Sequence, residues 1–383
     1  AVLAGCAQDA PQDTWDPAGE NAQKIHDLQW PVFAIAGIVG VLVMLVIGIV
    51  VVRFRDRGQP IPEQSHGKPA LEIGLTILPA VILIGIAVPT VGTLMALEKT
   101  DDTECVVNVT ANQWWFEIDY PAQESCGGVA IPTPIVTSGE MVIPADTRVL
   151  LRGTSRDVIH SFWVARINGK RDLVPNRIHP LRIQADEPGR YLGQCAEFCG
   201  LSHANMRMEI IALDNAGFQQ WVDQQLQPVR EPEPGTLAAE GKSVFVSMCA
   251  RCHQVNGLVD AAGNPVIAQP EVNVYNGAAP NLTHLMSRTT FAGATWSLLT
   301  DECRDRIDDL PAEEFTAAYL GGTTAECLNS EQLRNWMRDA PGERPMYTSG
   351  PLLETNGLPR GMPNLGMSGA QIQAVEAYFL ESM

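Results

Sequence analysis

Two short runs of this chain hold residue types that do metal chemistry. The first is Cys195-Ala-Glu-Phe-Cys199-Gly-Leu-Ser-His203-Ala-Asn-Met206, which places two thiols, an imidazole and a thioether within twelve residues. Such soft ligands suit copper. Two cysteines four apart on one loop can aim both sulfurs at one place, with His203 and Met206 on either side. A second imidazole must then come from elsewhere, and His160, in Val158-Ile159-His160-Ser161-Phe162-Trp163, is the candidate. The same thiols could instead close a disulfide or hold zinc with two histidines. Met206 and the distant His160 favour copper. The second run is Cys249-Ala-Arg-Cys252-His253, the pattern in which two thiols add to porphyrin vinyl groups and the next histidine ligates iron. A chance match or a redox dithiol is the alternative reading.

A helix over Ala238–Met248 leads into that second run. A sixth iron ligand is needed, and a methionine would raise the potential. Met362, in Arg360-Gly361-Met362-Pro363-Asn364, stands just before a closing amphipathic helix that Ser368 caps, with Ile372, Val375, Tyr378 and Phe379 at helical spacing. Met346 and Met367 are the alternatives.

The first metal run needs a different scaffold. Val106 to Leu213 reads as short β-rich runs broken by Pro and Gly, which predicts a small antiparallel sandwich or barrel, with a closing helix over Gly217–Leu226. A Pro- and charge-rich linker follows. Upstream, the uncharged apolar stretches Pro31–Val52 and Ile73–Leu97 are each long enough to cross a bilayer. Pro79 and Pro89 in the second are tolerated in lipid. Arg53, Arg55, Arg57 and Lys68 lie between the stretches, whereas Ala7–Trp30 is acidic, so the loop belongs in the cytoplasm and both termini face outward. Over the 383 residues the formal net charge is −18, which argues against nucleic-acid binding and for a basic protein partner.

The run from His160 to Met206 resembles the dinuclear copper (CuA) site of cytochrome oxidase subunit II. That resemblance implies bridging thiolates at Cys195 and Cys199 and terminal ligands at His160, His203, Met206 and the Glu197 carbonyl. It further implies a magnesium ion on the Glu197 carboxylate at the contact with subunit I. Gln113–Tyr120 resembles the family's aromatic strand, which gives Trp114 a place near the surface that receives electrons; Trp115 and Phe116 depart from the family string and read as core. Glu72 matches a proton-uptake glutamate at the cytoplasmic start of the second helix, where a snorkelling carboxylate is the plainer alternative. Pro280-Asn-Leu-Thr-His284 resembles the loop that supports the proximal histidine in fused cytochrome c domains, with His284 expected against a haem propionate or the copper domain.

The fold expected is multidomain. Residues 1–29 form a lipoprotein-type tether, 30–97 a transmembrane helical hairpin, and 98–228 a cupredoxin-like antiparallel β-sandwich or barrel. Residues 229–236 form a linker and 237–383 an all-α class I cytochrome c domain. The function implied is that of the electron-accepting subunit of a terminal oxidase in a bacterial cytoplasmic membrane. Electrons would pass from an external cytochrome or quinol-oxidising complex through haem c and CuA to subunit I, which carries haem a, haem a3 and CuB. There oxygen is reduced to water with proton pumping, beside subunit III. The chain itself has no site for oxygen chemistry.

Of the nine cysteines, those not assigned to a cofactor pair by location as Cys105–Cys126 and Cys303–Cys327, in a compartment that permits disulfides. Cys6 closes Leu3-Ala4-Gly5-Cys6, which resembles a lipobox and implies a lipid on its sulfur. The insertion from about Ser297 to Cys327 matches nothing in the family. A nitrous oxide reductase is excluded by seven histidines without repeats. A membrane-tethered electron shuttle or copper store is disfavoured by two transmembrane stretches where one anchor would serve.

Overall fold

The computed structural model describes residues 11–58, 66–269, 278–346 and 360–383; Cys6, with its expected lipid, lies outside them. Helices α1 (Glu20–Arg53) and α2 (Pro69–Leu97) run through Pro31, Pro79 and Pro89 without ending. No part of their apolar windows is buried by the rest of the chain. Side chains such as Leu42, Met44, Leu83 and Ile84 are exposed, which suits hydrocarbon and not water.

Helix α1 starts at Glu20, ahead of the expected membrane boundary at residue 30. Its polar first turns stand on the β domain. Ala18 N donates to Arg166 O at 2.7 Å, and Asn21 Nδ2 donates to Arg182 O at 2.9 Å. Hydropathy marks only the lipid-facing part of a helix; these turns are held by tertiary hydrogen bonds instead. The latter part of the expected tether is therefore docked.

The β domain is two five-stranded sheets packed face to face. The first runs β10 (His179–Ile183), β7 (Val149–Ser155), β1 (Cys105–Asn112), β2 (Trp115–Tyr120), β5 (Ile135–Ser138). The second runs β6 (Glu140–Pro144), β12 (Arg207–Leu213), β11 (Gly189–Cys195), β8 (His160–Trp163), β9 (Arg171–Leu173). Pairing is antiparallel except for β1 with β7 and β6 with β12, which are parallel. Alternate residues of β1, Val107, Val109 and Ala111, are buried between the sheets, as the two-residue period requires. The hairpin β3 (Gln123–Cys126) and β4 (Val129–Ile131) is bonded to β1 through the Cys105–Cys126 disulfide.

Helix α3 (Asn215–Gln225), capped by Asp214, closes this domain. The expected linker does not hang free: Arg230 N donates to Ser382 O at 3.2 Å and Lys242 Nζ pairs with Glu231 at 2.6 Å. The C-terminal domain is built on α4 (Leu237–Val244), α7 (Ser330–Glu343) and α8 (Gly369–Ser382), the last with a full capping box between Ser368 and Gln371. It also carries a two-residue hairpin, β13 (Thr290–Phe291) with β14 (Trp296–Ser297).

The segment from Ser297 to Cys327, expected to be an insertion, forms α5 (Asp301–Asp308) and α6 (Ala312–Leu320), closed by the Cys303–Cys327 disulfide. It packs on the β domain: Phe315 and Tyr319 join that domain's apolar core. A Cβ at Gly217 would lie 2.1 Å from Thr316 Cγ2, so only glycine lets α3 approach α6 this closely.

Candidate functional site

Strand β8 delivers His160, β11 ends on Cys195, and the loop back to β12 carries the remaining ligands of the first metal run. Cys195 N donates to Met206 O at 2.9 Å and closes the loop's base. Within it the two sulfurs lie 3.8 Å apart. His160 Nδ1 stands 3.9 Å from Cys195 Sγ, and His203 Nδ1 is 3.5 Å from Cys199 Sγ. Met206 Sδ is 3.8 Å from Cys199 Sγ, and the Glu197 carbonyl oxygen is 3.3 Å from Cys195 Sγ. His160, Cys195, Cys199 and Met206 are buried. Two sulfurs bracketed by imidazoles, with a thioether and a carbonyl at the ends, are a donor set that fits a copper pair better than tetrahedral zinc.

The electrostatics suit a cation. A hydrogen bond with Cys199, helped by His160, outweighs burial and holds the Cys195 thiol down to about 3, while the same contact pushes Cys199 up. One thiolate is therefore present at neutral pH. Burial would lower His160, but the Asp157 carboxylate and Cys195 raise it above its ordinary value.

Gly200, at φ +110°, shapes the loop's outer turn, and a Cβ there would lie 2.8 Å from Gln113 Nε2. Gly200→Ala is expected to destabilise the copper domain by about 1–3 kcal/mol. A denaturant midpoint unchanged from the parent would contradict this.

Around His253 the structure leaves a deep cavity. Its walls are apolar side chains such as Phe245, Leu282, Leu285, Leu333 and Phe379, with Cys249, Cys252 and His253 at one side. His253 Nδ1 bonds to Pro280 O at 2.8 Å, which leaves Nε2 for iron, and burial lowers this imidazole so that it stays neutral. Burial pushes the Cys249 thiol up to about 12. Met346, Met362 and Met367 all line the cavity; the Met346 sulfur accepts from Met362 N at 3.2 Å. An apolar cavity lined by two thiols, an imidazole whose Nε2 is left for iron, and three methionines fits a covalently bound haem. His284 faces the copper domain, its Nε2 bonding to Gln227 O at 2.8 Å.

The two centres share a wall. Trp114, 1% exposed, lines the cavity, and its indole Nε1 donates to Cys199 O at 3.0 Å. Gln113 Nε2 donates to the same oxygen at 2.7 Å. Trp114 thus lies beneath the haem domain and not on an open surface, while Trp115 and Phe116 are core. Glu72 shares no site with any of these: it stands in the first turn of α2, a helix of 29 residues and so about 40 Å from the end that meets the β domain.

Two residues of the site went unnoticed in the sequence. Asp157 binds His160 Nε2 at 2.8 Å and fixes which ring nitrogen faces the sulfurs. Its place three residues before His160 was the available signal. Arg344 reaches from the haem domain to Ser202 Oγ at 3.1 Å, and nothing in its sequence surroundings marks it.

Comparison with known proteins agrees with this geometry. Residues 105–213 match the family model "Cytochrome C oxidase subunit II, periplasmic domain", residues 8–92 its transmembrane domain, and residues 238–335 "Cytochrome c". The segment from Ser297 to Cys327, expected to match nothing in the family, falls within the range that the cytochrome c family covers. The chain is 35% identical to cytochrome c oxidase subunit 2 of Alkalihalophilus pseudofirmus, over 68% of this chain and 76% of that relative. It is 31% identical to that of Bacillus subtilis, over 76% of this chain and 81% of the relative. The crystal structure of the periplasmic domain of subunit II of cytochrome oxidase of Bradyrhizobium japonicum aligns at 25% identity and a TM-score of 0.29, covering 34% of this chain and 96% of that one. The chain belongs to the cytochrome c oxidase subunit 2 family, as a membrane-bound subunit of a haem-copper oxidase with a C-terminal cytochrome c domain.

Proposed function

We propose that this chain accepts electrons from an external donor at its cytochrome domain and delivers them through its copper domain to subunit I, for reduction of oxygen to water. The observation that carries this reading is Trp114, which lines the haem cavity and whose indole bonds the backbone of Cys199. When bound, haem c and the copper pair supply one-electron carriers. Cys249, Cys252 and His253 would hold the haem, with Met362 as the sixth ligand. His160, Cys195, Cys199, His203, Met206 and the Glu197 carbonyl would hold the copper.

The exposed side chains next to the copper ligands in sequence support a docked partner. Phe198 is 76% exposed, and Leu201 and Ile159 are exposed as well. Apolar groups left open beside a metal loop mark a docking face, which is assigned here to subunit I. At that contact Glu197 would offer a carboxylate to magnesium, the other ligands coming from the partner. The termini face outward, Cys6 is lipid-modified, and Glu72 takes up protons from the cytoplasmic side for subunit I; subunit III completes the complex. Acidic residues outnumber basic ones beyond Leu237, so the donor is basic or firmly docked.

The test is optical and EPR spectroscopy of the full-length protein, matured with haem and loaded with copper. The expected result is a c-type haem spectrum with a mixed-valence dinuclear copper signal. In Cys195→Ser the copper signal disappears and the haem spectrum stays. Mononuclear copper or zinc in the parent protein would leave a tethered cytochrome and overturn the assignment.

A further inference from the structure

Arg344 lies in the cytochrome domain just beyond α7 and is 4% exposed. Its Nη2 donates to Trp114 O at 2.6 Å, Nε to Ser202 Oγ at 3.1 Å, and Nη1 to Thr295 Oγ1 at 3.0 Å and to Ala292 O. All four acceptors are neutral. Among the described residues no carboxylate pairs with it. A buried cation without a carboxylate is costly, and burial, only partly offset by the Cys199 sulfur, pushes this guanidinium down to about 10. The missing anion has an available place, because Arg344 also lines the cavity beside His253. A haem is apolar over most of its rim, and its only anionic groups are two propionates.

We propose that Arg344 binds a haem propionate and so ties the haem to the copper loop. On its other side the guanidinium holds Ser202, which sits between Cys199 and His203, and the carbonyl of Trp114, whose indole bonds Cys199. The fork of a guanidinium can bond several oxygens at once, which the single ammonium of lysine does less well. This inference rests on the reading of the cavity as a c-type haem site. Its sign follows from Coulomb's law: a fixed positive charge beside the haem favours the ferrous state, which carries one charge less.

The experiment is redox titration of the haem absorption in the full-length, haem- and copper-loaded protein, comparing the parent with R344Q and R344K. In R344Q the ferrous-to-ferric ratio at a given ambient potential is expected to fall about tenfold. In R344K most of that ratio is retained. Ferrous-minus-ferric infrared spectra of the parent, labelled with ¹⁵N in the arginine guanidinium groups, provide a measurement that needs no folded glutamine variant. They are expected to contain isotope-shifted guanidinium bands that vanish in R344K. A ratio in R344Q within about twofold of the parent, or a parent spectrum without such bands, reduces Arg344 to a latch between domains and overturns the proposal. A parent protein without covalent haem absorption removes the haem reading itself, and the role of Arg344 with it.

Discussion

Replacing Glu140 by alanine is expected to separate the two soluble domains and to destabilise their union by about 3–5 kcal/mol. Glu140 opens β6 in the copper domain, yet its carboxylate, 1% exposed, is satisfied almost wholly by the cytochrome domain. Oε1 accepts from Thr289 N at 2.8 Å, Thr289 Oγ1 at 3.0 Å and Thr290 Oγ1 at 2.6 Å; Oε2 accepts from Tyr319 OH at 2.9 Å. Burial, reinforced by this carboxylate, pushes the Tyr319 hydroxyl far above its ordinary value, so it stays a donor. Truncation would strand four donors and remove the negative charge that offsets buried Arg288. The expected observation is two calorimetric transitions in E140A where the parent shows one. Glutamine keeps an acceptor and should cost less, about 1–3 kcal/mol. A single parent-like transition in E140A would show that the domains are held by other contacts.

That clamp has a kinetic consequence. With the cytochrome domain fixed over Trp114, the proposed transfer between domains would not wait for diffusion and should be insensitive to salt. Electron acceptance from a separate donor, by contrast, should depend on ionic strength if charge steers the encounter. Arg190 adds a second seam, bonding Glu209 on its own side and Asp308 across the interface at 2.7 Å, while Arg304 reaches back to Glu209 at 2.9 Å.

The motifs were legible because their chemistry is local: both cysteines of the metal loop, His203 and Met206 share one turn between strands, and the haem cysteines and histidine are adjacent. The membrane helices were legible from hydropathy. What could not be read is what depends on partners far along the chain. The start of α1 at Glu20 is set by Arg166 and Arg182, over 140 residues away. The run from Ser297 to Cys327 looks like an arbitrary acidic segment until Glu140 and Glu209 are seen facing it. Trp114 could be matched to an exposed family position, but not recognised as covered, because its cover is a domain that begins more than 100 residues later.

Asp157→Ala is expected to weaken copper binding by about 10–100-fold while the sandwich stays folded. The carboxylate accepts from Gln113 N at 2.8 Å and Arg360 Nη1 at 2.7 Å through Oδ2, and from Val158 N at 2.7 Å through Oδ1, which also meets His160 Nε2 at 2.8 Å. With Nε2 protonated by that contact, Nδ1 presents its lone pair to the metal. Burial alone would raise the Asp157 carboxyl, but His160 and the backbone donors outweigh it and hold it below the ordinary range. Its contribution is therefore complete at neutral pH and through the ordinary carboxylate range, and is lost only as pH falls through the lowered value. Asparagine would keep one oxygen for His160 but turn an amide towards Arg360 and Gln113 N, so D157N should fall between parent and alanine. Competition of the loaded protein against a graded copper chelator, followed by EPR, measures all three. Affinity in D157A within twofold of the parent would mean that the His160 ring is oriented by packing such as that against Phe116, with no part for the carboxylate.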